Sequence, residues 1–262
     1  MRQKLLFLTA LLGLCQPACA QDIKPKTGEK ILPVVEKPIP LKQGDRIIFF
    51  GDSITFNGVK KGGYVTLMKD HLMEKHRGLK LELIGAGIGG NKVPDLQKRV
   101  DKEVVAKKPT IVFVYIGIND VWHNDFLMGT PKDKYEAGLK EVIGKIQAAG
   151  AKVVVCTPSV IGEKKDGSNK YDKQLDEFAD VSRAVAKAMN ADICDLRKGF
   201  LAQIKADNPK NKDLGILTTD RVHLNPAGNR LVAEMMLNIL GETLPPPAPD
   251  KPEKKDEAPK KG

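Results

Sequence analysis

Cysteine, aromatic residues and long apolar runs are all scarce in this chain, and each shortage removes a class of protein. Of 262 residues only four are cysteine and one is tryptophan, and aromatics make up 5%. Two of the cysteines, Cys15 and Cys19, fall in an N-terminal segment that reads as removable. The remaining two, Cys156 and Cys194, are too few for a disulfide scaffold. Both sit in strand-like runs, "VVVCTP" and "ADICDL", as buried thiols or, should those strands be neighbours, as a single bridge. With so few aromatics and no DNA- or RNA-reading motif, a nucleic-acid partner is not expected. Histidine occupies four positions. No His, Cys or carboxylate set has metal-ligand spacing, so the reading includes no metal and no other cofactor.

No apolar run reaches the roughly 20 residues that span a bilayer. The N-terminus reads "MRQKLLFLTALLGLCQPACA": Arg2 and Lys4, an apolar stretch from Leu5 to Cys15, then Ala18-Cys19-Ala20. Positive charge, a short apolar core and a small-x-small site make a secretory signal over residues 1–20, cleaved after Ala20. Gln16-Pro17 ahead of Cys19 argues against a lipoprotein signal. The expected location is therefore a periplasm or the cell exterior. Residues 21–44 mix proline with lysine and read as an extended lead-in. Residues 245–262, "PPPAPDKPEKKDEAPKKG", offer nothing apolar for a core and read as a disordered tail suited to acidic surfaces. The formal charge is +10, of which Arg2 and Lys4 supply two, leaving +8. Lysines are spread along helix faces and form no single basic block.

Residues 45–244 carry the organised pattern. "RIIFFG", "LKLELIGAG", "TIVFVYIG", "AKVVVCTP" and "ADICDL" are β-branched or apolar runs that end in punctuation, which predicts strands. Helices are predicted at about 62–76, 92–107, 131–149, 172–190 and 225–240. The last has Asn225 as N-cap, Pro226 at its first position, and Leu231, Val232, Met235, Met236 and Ile239 near helical spacing. Such alternation predicts an α/β domain with a parallel five-stranded sheet covered on both faces. Sites in such sheets lie at the carboxyl ends of strands.

Three loops would then share one sheet edge: "GDSIT" with Ser53, "GIGGN" with Gly90, and "GIND" with Asn119. A fourth block, "DRVH", carries Asp220 and His223 ahead of the last helix. A hydrolytic serine needs a base, a group that orients the base, and donors for the developing oxyanion. The chain offers one candidate for each. Together, "FGDSIT", the glycine turn ending at Gly90, "GIND" and "DRVHLNPAGN" resemble the SGNH, or GDSL, hydrolase superfamily, in the family's order and over about residues 45–241. The resemblance implies a flavodoxin-like three-layer α/β/α sandwich and metal-free ester hydrolysis. It implies Ser53 as nucleophile, His223 as base and Asp220 as the orienting residue. It also implies an oxyanion hole of Ser53 N–H, Gly90 N–H and the Asn119 amide. One departure is that Gly85 and Gly89 stand where relatives often have Asn and a hydroxyl residue, which makes Gly89 the competitor of Gly90.

Other readings compete at several of these residues. "GAGIGG" also matches the dinucleotide fingerprint, but the next strand ends about 30 residues on in "GIND", not in an acidic residue about 20 residues on. Asp52 and Asp120 are read as turn braces and Thr55 as a cap for the helix after the serine. His71 and His76, in a lysine-rich helix, are read as solvated or packing residues. Trp122 and His123, beside "GIND", are candidates for substrate contact or for loop packing. Residues 160–174, "VIGEKKDGSNKYDKQ", border the pocket or form a solvent loop. A compact exported esterase with no apolar lid segment suggests a small acyl ester, first of all an acetylated polysaccharide. The rivals are a lysophospholipase or thioesterase with the same triad, and a non-catalytic carbohydrate-binding protein.

Overall fold

The computed structural model describes residues 35–246. The expected signal, residues 21–34 of the lead-in and all but two residues of the tail lie outside the described residues. In chain order the elements are β1 (Arg46–Gly51), α1 (Ser53–Gly58), α2 (Tyr64–Lys75), β2 (Glu82–Gly87), α3 (Val93–Glu103), β3 (Ile111–Tyr115), α4 (Ile118–Trp122), α5 (Lys132–Ala148), β4 (Lys152–Cys156), α6 (Asp172–Ala188), β5 (Asp192–Cys194), α7 (Leu196–Asp207) and α8 (Pro226–Ile239).

The strands form one parallel sheet in the order β2-β1-β3-β4-β5. This is the doubly wound order whose direction of travel reverses between β1 and β3, and a crevice opens there at the carboxyl ends. Helix α3 packs on α5 and α5 on α6, while α2 packs on α8 and α8 on α7, giving a layer on either side of the sheet. The continuous apolar runs follow from this arrangement. Ile47 to Phe50 of β1 and Ile111 to Tyr115 of β3 are buried throughout, because a central parallel strand has helices above and below it. Phe49 and Phe113, register partners on these strands, stack with centroids 5.4 Å apart.

Several sequence expectations shift. Strand β2 begins only at Glu82, because Arg77–Leu79 forms a 3-10 turn and Lys80 takes a left-handed φ of 51°. The helix expected to reach 107 ends at Glu103, and a separate 3-10 turn, Val105–Lys107, follows it. Helix α7 was not expected. Its signals are Asp195, whose side chain caps Lys198 N, and Leu196, Phe200 and Ile204 at four-residue spacing. The end of the lead-in is packed rather than free: Ile39 is buried and its N–H donates to Ile239 O at 2.8 Å. Cys156 and Cys194 are register partners on β4 and β5, and both are buried free thiols. Among the described residues no helix is long and apolar enough to cross a membrane.

Candidate active site

Strand β1 ends at Gly51, and the chain turns at once into α1. Asp52 is the N-cap, accepting from Ile54 N at 2.9 Å, so Ser53 is the first residue of the helix. First-turn N–H groups have no partner within a helix, so the Ser53 N–H is free to meet an incoming anion. The cap expected at Thr55 therefore belongs to Asp52. Thr55 is instead buried, with its hydroxyl accepting from Tyr64 Oη at 2.9 Å.

The candidate base, His223, arrives from late in the chain on a small hairpin. Thr218 and Leu224 form an antiparallel bridge, and Thr219 N donates to His223 O at 2.8 Å. Asp220 supports His223 through both oxygens: Oδ1 accepts from Val222 N at 3.1 Å and His223 N at 2.7 Å, and Oδ2 bonds His223 Nδ1 at 2.7 Å. Partial burial works against ionisation of Asp220, but the ring and the two N–H groups prevail and hold its carboxyl below the usual range. His223 Nε2 then lies 2.9 Å from Ser53 Oγ. The chain folds 170 residues of separation into one hydrogen bond.

Two further loops leave the same edge of the sheet, after β2 and β3, the neighbours of β1. Gly90 lies in the turn after β2 at φ 73°, a left-handed conformation that glycine adopts without strain. Among the described residues no hydrogen bond engages its N–H. Gly87, at the end of β2, has no room for a side chain: a Cβ there would sit 2.1 Å from Phe56 N. Two of the glycines that mimic a nucleotide fingerprint, Gly85 and Gly87, thus let β2 press against the serine helix and the residue that ends it, Val59. Asn119, buried at the start of α4, donates through Nδ2 to Asn91 O at 3.0 Å, which leaves its second N–H available.

Arg99 ties these loops together, and sequence reading passed over it. Its guanidinium donates to Gly51 O at 2.6 Å, Ala86 O at 2.9 Å and Asn91 Oδ1 at 2.8 Å, while lying over the Phe50 ring. One side chain thus joins the ends of β1 and β2 to the residue that holds Asn119. Its only sequence signal is an arginine on the otherwise apolar side of an amphipathic helix.

Asp120 accepts from Val93 N at 3.1 Å and so braces the Asn119 turn against α3. Both turn-bracing carboxyls are displaced. Burial, helped by the charge of Asp120, pushes Asp52 up to about 7 despite the bond from Ile54 N. Burial alone pushes Asp120 up to about 6. An unfolded chain releases these protons near the ordinary carboxylate value, whereas the folded chain keeps them until close to neutrality. The unfolded state therefore binds fewer protons in between, and stability falls as pH rises from about 4 to about 7. Asp52→Asn keeps an oxygen for Ile54 N and removes the charge. Its stability in urea melts at pH 8 is expected to exceed that of the parent by roughly 2–4 kcal/mol, with little difference at pH 4. An unchanged pH dependence would show that Asp52 is not the group responsible.

The two weaker candidates separate. Trp122 lines a cavity of about 240 Å³ together with Ile161, Tyr171, Asp220, Arg221 and Val222, on the side of the hairpin. His123 does not line it. Its ring lies 6.3 Å from that of Trp122, and burial and Lys92 hold its imidazole below the ordinary value. The segment 160–174 is only partly a solvent loop: Val160, Ile161, Glu163, Asn169 and Tyr171 are buried. His76 and His71 are neither free nor near the serine. They contact Glu242 at 2.7 and 3.4 Å, and with Lys75 they fasten the end of α8 to α2.

Known proteins resemble this chain. Residues 49–231 match the GDSL-like lipase/acylhydrolase family model, a span that contains Ser53, Gly90, Asn119, Asp220 and His223. An acetylxylan esterase of Geobacillus stearothermophilus is 29% identical over 215 residues, covering 76% of this chain and 94% of the relative. An isoamyl acetate-hydrolyzing esterase 1 homolog of Rattus norvegicus is 26% identical over 201 residues, covering 71% and 78%. The crystal structure of an acetyl xylan esterase, AlAXEase, superposes with a TM-score of 0.70 at 50% identity, covering 73% of this chain and 97% of that one. The chain is a carboxylic ester hydrolase and belongs to the GDSL-like lipase/acylhydrolase family, within the SGNH hydrolase superfamily.

Proposed function

We propose that the protein is an exported serine esterase that removes acetyl groups from acetylated carbohydrate. The observation that carries this reading is the relay from Asp220 through His223 to Ser53, at 2.7 and 2.9 Å. His223 Nε2 takes the proton of Ser53 as Oγ attacks the ester carbonyl. The resulting oxyanion is met by Ser53 N–H, Gly90 N–H and the free N–H of Asn119. A preorganised donor of this kind contributes roughly 10²- to 10³-fold in turnover. Collapse breaks the bond to the leaving alcohol, which receives its proton from His223, and leaves an acetyl group on Ser53. Water repeats the sequence, with His223 again as base, and releases acetate.

The substrate class rests on different support. Two of the relatives above are acetylxylan esterases, one 29% and the other 50% identical. The cavity beside the hairpin presents Trp122 and Tyr171 with Arg221 and Asp220. Aromatic faces with polar groups suit a sugar ring better than an alkyl chain. Export follows from the signal read in residues 1–20.

A panel of acetylated xylooligosaccharide, short alkyl acetates, lysophospholipid and acyl thioester, scored for released acid, tests this reading. Acetate release from the oligosaccharide at the highest kcat/KM is expected. Preference for long acyl chains or thioesters would transfer the same catalytic residues to a lysophospholipase or thioesterase. No turnover of any ester would favour a binding protein.

A further inference from the structure

Glu163 belongs to a segment whose sequence reads as a polar loop, yet its side chain is fully buried. Its carboxylate holds the first arm of the hairpin that carries the base. Oε2 accepts from Ile216 N at 2.7 Å, and Oε1 accepts from Leu217 N at 2.7 Å, Thr218 N at 2.6 Å and Thr218 Oγ1 at 2.8 Å. All four partners are neutral donors, so the carboxylate is dedicated to this strip of backbone. Neighbouring bonds point the same way: Gly162 N donates to Arg221 O at the hairpin tip, and Glu163 N donates to Asp213 O, both at 2.9 Å. The gripped arm pairs directly with the catalytic one, through the Thr218–Leu224 bridge and through Thr219 N and Oγ1 to His223 O. Asn225 ties the far arm to the gripped one as well, its N–H donating to Leu217 O, while its side chain caps α8.

We infer that Glu163 is a positioning residue for the esterase reaction, setting the height of the 217–225 hairpin and with it the reach from His223 Nε2 to Ser53 Oγ. This rests on the esterase reading proposed above. A glutamine at 163 keeps the volume, but either orientation of its amide sets an NH₂ against at least one of the three N–H donors, Ile216, Leu217 or Thr218. Repulsion there lifts the first arm, and His223 moves with it. The oxyanion loops stand on other elements, whereas Asp220, Arg221 and Val222 of the hairpin line the cavity assigned to the sugar. An aryl acetate carries no sugar to fill that cavity, so its binding is expected to survive while proton transfer suffers.

The test compares the parent, E163Q and T218V with an aryl acetate and with a fluorophosphonate probe, at a temperature where circular dichroism shows each folded. Thr218→Val removes one of the four donors at nearly constant volume. For E163Q the expected result is a fall of roughly 10²-fold in kcat, the scale of a misplacement of about 1 Å. KM should stay within about twofold of the parent and probe labelling should slow by the same factor as kcat. T218V is expected to show a several-fold fall in the same direction. Should E163Q fail to fold, T218V decides alone. A lowered melting temperature with unchanged kcat and labelling would reduce Glu163 to a fold-stabilising residue and overturn the inference. A parent protein that neither hydrolyses nor labels overturns the esterase reading itself, which separates the two failures.

Discussion

Replacing Ser53 by alanine is expected to lower kcat by roughly 10⁴- to 10⁶-fold while leaving the fold and its melting temperature close to those of the parent. The size of the loss follows from the number of functions that meet at one oxygen. Ser53 Oγ is the proposed acyl acceptor, and its bond to His223 Nε2 is what would give that base a proton to take. The small structural cost follows from the division of labour at the turn. Asp52, not Ser53, caps α1, and the buried contacts of that helix belong to Ile54 and Thr55. The residual rate measures what the remaining donors do for direct attack by water. Turnover of an aryl acetate, fluorophosphonate labelling and circular dichroism check the three parts of the expectation. A variant that still labels, or that keeps more than a few per cent of turnover, would move the nucleophile elsewhere.

The candidate site residues were legible in the sequence because each is tied to backbone punctuation. Ser53 follows a glycine at the end of an apolar strand, Gly90 needs its left-handed φ, and Asp220 and His223 are close enough in sequence to assemble in one turn. The sheet was legible for the same reason, since strands buried on both faces leave uninterrupted apolar runs. What escaped notice were residues that act across the fold. Arg99 and Glu163 look like ordinary charges in lysine-rich or polar stretches, and only the folded chain shows Arg99 half-buried against backbone carbonyls, and Glu163 buried against N–H groups, of remote segments. Their backbone partners lie 13 to 55 positions away along the chain, a distance at which neither periodicity nor motif spacing carries a signal. Helix α7 was missed for a milder reason. It follows β5 with Asp195 as the sole intervening residue, so the short strand and the helix merge into one apolar stretch.

Asp220→Asn is expected to cost roughly 10⁴-fold in kcat with KM little changed, although it alters a single atom. The side chain of Asp220 is about half exposed, at 52%, so water screens its charge and simple attraction to the imidazolium is worth little. Geometry has to account for the loss. One oxygen already serves two backbone N–H groups, Val222 and His223, and the other faces His223 Nδ1. An asparagine can satisfy the two backbone donors only with its carbonyl oxygen, which directs its NH₂ at Nδ1. The ring must then accept at Nδ1 and carry its proton on Nε2. In that tautomer Nε2 donates to Ser53 Oγ and has no lone pair with which to take the serine proton. Because the backbone bonds survive, the hairpin and the melting temperature should persist. Asp220→Ala removes both functions and should loosen the hairpin as well. Steady-state kinetics with thermal melts on both variants separate the roles. Asp220→Asn retaining a tenth or more of the parental kcat would show that the carboxylate does not set the tautomer, and that the hairpin backbone alone orients His223.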